Sequence, residues 1–127
     1  MELIGVGIDL VDIARVERMM ARHGDRVVAR FLTERERRYV VGRQRPAMHI
    51  AARIAAKEAA YKALQALPDA RSVSWHDLEV ERETEGRPFL TLLGHASDLA
   101  ARHGPLRIEL SLSHSDATAG AIAVVTR

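Results

Sequence analysis

The sequence predicts an α+β fold in which an antiparallel sheet packs on one long, alanine-rich helix. Three observations predict it. A segment from about 47 to 66 reads as helix and carries Ala52, Ala55, Ala56, Ala59, Ala60 and Ala63 on one continuous arc. Short strand-like runs come in pairs around tight connections, "DLEVERE" with "PFLTLL" and "LRIELSLSHS" with "ATAGAIAVV". The order of strand, helices, hairpin, helix, hairpin lacks the regular alternation that builds a parallel sheet.

Each element has a local reason. "LIGVGID" (3–9) is an apolar, β-branched run with glycines, read as a buried strand ending at Asp9. Asp12 is the expected N-cap of a helix over roughly 13–23. Its Ile13, Val16 and Met20 share one face, and Arg15, Arg18 and Arg22 the opposite one. In "TERERRYVVG", Thr33 and Glu36 have capping-box spacing and Gly42 marks the end of a short helix. The long helix follows Pro46 and stops at "LPDA". The first hairpin turns at Glu85, Gly86 and Arg87. "HASDLAARHG" is a helix ended by Gly104, and two closing strands occupy 106–115 and 117–125.

At 127 residues the chain is read as a single domain, 1–127. There is no cysteine, which excludes disulfides, thiol catalysis and thiolate metal sites, so a metal must sit on Asp, Glu or His. The N-terminal run has acids at Glu2 and Asp9 and no basic lead-in, unlike a signal peptide. No apolar run reaches the ~20 residues of a membrane span, so a cytoplasmic protein away from membranes is expected. Residues 1–62 hold 13 Lys/Arg against 8 Asp/Glu, net +5, and residues 63–127 hold 6 against 9, net −3. The basic half suits an anionic partner, a phosphate-bearing ligand or an acidic protein.

The long helix poses the chemical question, because Arg53, Lys57, Glu58 and Lys62 are read on the arc opposite its alanines. A solvated face with a Glu58–Lys62 pair worth ~0.2–0.5 kcal/mol would explain them. So would a polyphosphate site, in which the cations neutralise phosphate oxygens and the carboxylate holds a hard divalent ion. The second reading needs another carboxylate. Asp9 is the candidate: it interrupts an apolar stretch, and Asp12 already serves as the cap. Mg²⁺ commonly takes only one or two protein carboxylates, so Asp9 with Glu58 would suffice.

These stretches together resemble the 4′-phosphopantetheinyl transferases, in particular the short single-domain holo-acyl-carrier-protein synthase subgroup. The matching motifs are "VGIDL" (6–10) and "AAKEAAYK" (55–62), supported by "DIARVERM", "WHDLEV" (75–80), "GRPFL" (86–90) and "LSLSHS" (110–115). They span nearly the whole chain in the family's order. The resemblance implies transfer of the 4′-phosphopantetheine arm of coenzyme A to a serine of an apo-acyl carrier protein, releasing adenosine 3′,5′-bisphosphate. It implies that Asp9 and Glu58 bind Mg²⁺ and that Lys62 stabilises charge on the phosphates. It implies that Arg53, His114 and Ser115 hold phosphate of CoA, and that Arg87 and Pro88 line the adenine cleft. Lys57 joins this phosphate-binding set as the other cation of the motif. Arg15, Arg18 and Arg22 would receive the acidic carrier protein. The serine proton would go to Glu58 or to a metal-bound water. A homotrimer with sites at its subunit interfaces is also implied. Tyr61 is bulkier than is usual at its position and is accommodated there if its ring lies along the cleft.

By residue chemistry alone His114 is a strand-end surface histidine. His23, His49, His95 and His103 lack metal-ligand spacing and are read as surface or capping residues. "SLSHS" lacks the glycines of a nucleophile elbow, and Trp75 and Tyr39 are read as core or interface residues. A pI near 9.5 admits a small basic nucleic-acid-binding domain as the alternative. Only five aromatics are present, however, and no pair of them falls on adjacent strands for base stacking. A non-catalytic subunit for an acidic protein would need the first-helix arginines but neither Asp9 nor Glu58.

Overall fold

The structure is a computed structural model and describes residues 1–84 and 86–127. Its elements are β1 (Leu3–Asp12), α1 (Ile13–His23), α2 (Asp25–Phe31), α3 (Glu34–Val40), α4 (Pro46–Leu64), β2 (Leu78–Arg82), β3 (Pro88–Leu92), α5 (Gly94–His103), β4 (Arg107–His114) and β5 (Thr118–Thr126). One antiparallel sheet runs β1-β5-β4, and β2 and β3 form a separate antiparallel hairpin. Of the expected hairpin turn, Glu85 lies outside the described residues.

The inner face of the larger sheet is built for close approach. Gly5 and Gly7 of β1 stand beside Val125 and Ala123 of β5, with Ala121 and Ala119 further along. A Cβ built on Gly5 would overlap the Ala63 carbonyl oxygen, and one on Gly7 the Ala59 carbonyl oxygen. Strand and helix therefore meet backbone to backbone, and glycine is required at both positions for space. Ala55, Ala56, Ala59, Ala60 and Ala63 are fully or almost fully buried in this seam. A second cluster, including Ile13, Val16, Leu32, Val40, Ile50 and Ile54, packs α1 and α3 on the start of α4. The outer face of the same sheet leaves Val6, Ile8, Leu10 and Ile122 exposed.

Several boundaries differ from the sequence expectation. β1 continues through Asp9 to Asp12, pairing Asp9 with Ala121, so Asp9 lies within a strand. The backbone ladder with β5 overrides the break that a charged residue suggests. α2 is an element the sequence reading lacks. Gly24, at φ +58, closes α1 through a bond from its N–H to the Met20 carbonyl and lets the chain turn straight into α2. The capping box at Thr33 and Glu36 forms as expected, but α3 ends at Val40, short of Gly42.

Candidate active site

α4 carries its charged residues on different faces, not on the single arc expected from the sequence. Arg53 and Glu58 are about 140° apart around a helix of 3.6 residues per turn. Glu58 and Lys62 face β1. Lys62 Nζ donates to Asp9 Oδ1 and to the Ile8 carbonyl oxygen, both at 3.0 Å. Burial first, and then the negative charge of Asp9, raises the Glu58 carboxyl above the usual 4.5, against the opposing pull of Lys62. Two carboxylates thus share one neighbourhood with one ammonium. Such a set suits a hard cation, which would relieve their repulsion. No group of three His, Asp or Glu occurs among the described residues. An ion here would complete its shell with oxygens from water or substrate.

Lys57 turns the other way. Its side chain has no exposed surface, and Nζ donates to Phe31 O (2.6 Å), Glu36 Oε1 (2.6 Å) and Trp75 O (2.8 Å). Glu36, equally buried, also accepts from the backbone N–H of Thr33 and of Val80. All three ammonium protons are used inside the protein. The structure does not bring Lys57 to the Asp9–Glu58 group, and no surface is left for a phosphate to reach.

Arg53 is also buried, at 1% exposure, yet its Nε and Nη1 lack partners among the described residues. Its guanidinium lies 4.1 Å from the centroid of the Tyr39 ring, as does that of Arg43. Both border a cleft of about 490 Å³ with Arg35, Val80, Arg82 and Gly86. A buried guanidinium with idle donors is a site awaiting acceptors. Arg45, the N-cap of α4, bonds the Asp116 carbonyl oxygen at 3.0 Å and ties this region to the β4–β5 turn.

The remaining candidates are exposed, apart from half-buried Pro88. Arg87 pairs with Glu109 of β4 at 3.1 Å, and Pro88 opens β3. His114 ends β4, while Ser115 Oγ accepts from the N–H groups of Ala117 and Thr118 and so shapes the turn. Arg15, Arg18 and Arg22 line an open groove of about 670 Å³ with Met19. Arg26 and Arg30 of α2 extend this basic surface. Tyr61 packs against Trp75, centroids 6.5 Å apart, and Trp75 against Phe31 at 5.7 Å. Its ring serves the core between α4 and the 3₁₀ turn Trp75–Asp77, not the cleft that Arg53 borders.

The profile of the 4′-phosphopantetheinyl transferase superfamily matches residues 5–124. The chain belongs to this superfamily. It is 43% identical to the holo-[acyl-carrier-protein] synthase of Moorella thermoacetica, covering 97% of this chain and 94% of that one. It is 41% identical to that of Geobacter sulfurreducens, covering 98% of each. In structure it is similar to the Bacillus anthracis synthase solved with CoA (3′,5′-ADP). The TM-score is 0.79 and the identity 32%, with 98% of this chain and 97% of that one covered. The Helicobacter pylori synthase in complex with coenzyme A gives a TM-score of 0.80 at 29% identity, covering 95% and 99%. Family and fold, expected from the motifs, are thereby established.

The sequence reading passed over Arg43 and Arg82 and put His49 and Tyr39 aside as a surface or capping residue and a core or interface residue. Only the four-residue steps Tyr39 to Arg43 and His49 to Arg53 hinted at shared faces. The meeting of the two pairs depends on tertiary packing.

Proposed function

We propose that this chain transfers the 4′-phosphopantetheine arm of coenzyme A to a serine of an apo-acyl carrier protein, leaving adenosine 3′,5′-bisphosphate. The observation that carries this function is the Asp9–Lys62–Glu58 group on a chain of this superfamily. Phosphoryl transfer depends chiefly on positioning and charge stabilisation, and this group offers both. Asp9 and Glu58 are the residues that would hold Mg²⁺, which when bound supplies positive charge against the diphosphate oxygens. Lys62, half exposed and tethered among the described residues to Asp9 and Ile8, can shift its ammonium toward phosphate oxygens as charge develops. In this reading Glu58, made more basic first by its burial, is the group that would accept the serine proton.

Arg53 and its cleft suit the phosphate at the adenosine end, with Arg87, Pro88, His114 and Ser115 assigned around it by resemblance. Lys57 is reassigned from phosphate binding to holding α4 in orientation, because its ammonium is buried and fully bonded. Arg15, Arg18 and Arg22 offer an exposed basic face to an acidic carrier protein.

In this reading residues 1–127 form one transferase domain acting in the cytoplasm. None of its helices among the described residues is long and apolar enough to cross a membrane. It works as a homotrimer. Val6, Ile8 and Leu10, at 55%, 63% and 71% exposure, flank Asp9 on the outer face of β1, an apolar strip that a second copy would cover. The Arg53 cleft and the Asp9–Glu58 group also lie on different faces of α4, so a neighbouring copy can unite them across an interface.

The test is the mass of an apo-acyl carrier protein incubated with this protein, coenzyme A and Mg²⁺, beside an EDTA control. Gain of one phosphopantetheine on its serine, lost with EDTA, is the expected result. No gain with several different carriers would overturn the proposal.

A further inference from the structure

His49 stands on α4 one turn before Arg53, half-buried beside the cationic cleft. Its ring meets Tyr39 of α3 edge to face, centroids 6.0 Å apart and planes at 77°. Tyr39 in turn carries the guanidinium groups of Arg43 and Arg53 over its ring. The charged groups that act most on His49 are Arg53 from α4 itself, Arg43 from the α3–α4 loop, Arg82 from β2 and His114 from the end of β4, with Tyr39 of α3 against its ring. No carboxylate is among them. Glu81 and Glu83 border the same cleft; Glu81 is engaged by Arg35 at 2.9 Å and by the Thr91 hydroxyl, and Glu83 is not among the groups that act most on His49.

Burial first, and then these positive neighbours, pushes the imidazole below its ordinary 6.5. The ligand-free cleft therefore keeps His49 neutral at neutral pH. The same surroundings that repel a proton invite an anion, and the idle Nε and Nη1 of buried Arg53 await its oxygens. An anion arriving beside Arg53 reverses the sign of the local field and makes the imidazolium favourable.

We propose that His49 is a proton-coupled ligand of the phosphate monoester of coenzyme A: neutral in the empty cleft, it takes a proton from solvent as the monoester enters and donates it in a charge-assisted hydrogen bond. The assignment rests on the transferase function proposed above. The monoester is chosen because the diphosphate belongs with Asp9, Glu58 and Lys62 on another face of α4. It also carries close to two negative charges at neutral pH, its second pKa being ~6. Affinity for coenzyme A then falls as pH rises above neutrality. The loss is limited to about tenfold for each pKa unit by which the bound anion raises the imidazole.

Calorimetric titration of coenzyme A into the intact protein, in two buffers of different ionisation heat, counts the protons taken up on binding. The wild type is expected to take up a substantial fraction of one proton at slightly alkaline pH. His49→Gln should lose that uptake, and His95→Gln, on α5 outside the cleft, should keep it. With 3′-dephospho-coenzyme A, the wild type should lose it as well. Equal uptake by the wild type and His49→Gln, including none in both, would overturn the assignment. Undiminished uptake with the dephospho compound would overturn the choice of monoester. Failure of the wild type to bind coenzyme A at all would instead sink the transferase function, and the role of His49 with it.

Discussion

On α4, Lys57 buries its ammonium among Phe31 O, Trp75 O and Glu36, while Lys62 keeps half its side chain in solvent and reaches Ile8 O and Asp9. The residue type and the helix are the same, and the direction of the side chain separates them. The Lys57–Glu36 pair is dry, saturated with hydrogen bonds and fixed, so it can hold α2, α3 and the Trp75 turn to α4 but cannot answer a substrate. The Lys62–Asp9 pair is wet and incompletely bonded, weak as a fastener and free to exchange partners. A buried pair is expensive to break from one side, whereas an exposed pair contributes little to stability. Charge alone therefore does not mark a functional residue. Spare bonding capacity does.

The largest expected effect lies on the wet side. Glu58→Gln should lower the transfer rate by at least about 10²–10³-fold, the scale for removing one preorganised stabilising group. The fold should survive, and the sign of the pH effect says more. The folded state holds the Glu58 proton to higher pH than the unfolded chain does. The stability this group contributes is thus present below about 4.5 and is lost as pH rises through the folded value. At neutral pH without metal, Glu58→Gln should therefore melt no lower than wild type in a thermal scan.

Lys57→Met should do the reverse. Leaving Glu36 buried and unpaired should destabilise by about 3–5 kcal/mol, measurable by denaturant unfolding. Adding Glu36→Leu should recover part of that loss, and strictly additive losses would break the description of the two as a pair. Next comes Arg18→Glu, which should raise KM for the carrier protein by roughly tenfold with kcat little changed, an effect that shrinks as salt is added. A normal KM would remove the docking role of α1. The smallest change is in the stability of Lys62→Met, within about 1 kcal/mol of wild type, even as its transfer rate falls. A larger loss would show the wet pair to be structural after all.

Most of the architecture was legible because it follows local rules. The alanine arc of α4, the Thr33–Glu36 capping box and the alternation in the paired strands each depend on near neighbours in the chain. Asp9, Glu58 and Lys62 were legible as a group through motif spacing. The burial of Lys57 and Arg53 away from that group was not, because helical periodicity places residues on a wheel without saying what packs against each sector. Glu36, 21 residues before Lys57, turns one sector into a buried ion pair. α2 escaped notice because its seven residues follow α1 after one glycine and depend on tertiary support. Arg43, His49 and Arg82 converge from three separate segments, and no linear pattern records that.

Along Gly5–Ala63 and Gly7–Ala59 there is no side chain to compress or rotate, so β1 and α4 meet as two stiff surfaces. A gap set by backbone contact acts as a gauge. If Asp9 and Glu58, one carried by each surface, hold the metal as proposed, their carboxylates would have only side-chain rotation with which to adjust between the metal–oxygen distances of Mg²⁺, about 2.0–2.1 Å, and those of Ca²⁺, about 2.3–2.6 Å. An ion held between them would then be sorted by radius as well as by charge, with two glycines that touch no ligand narrowing the tolerance.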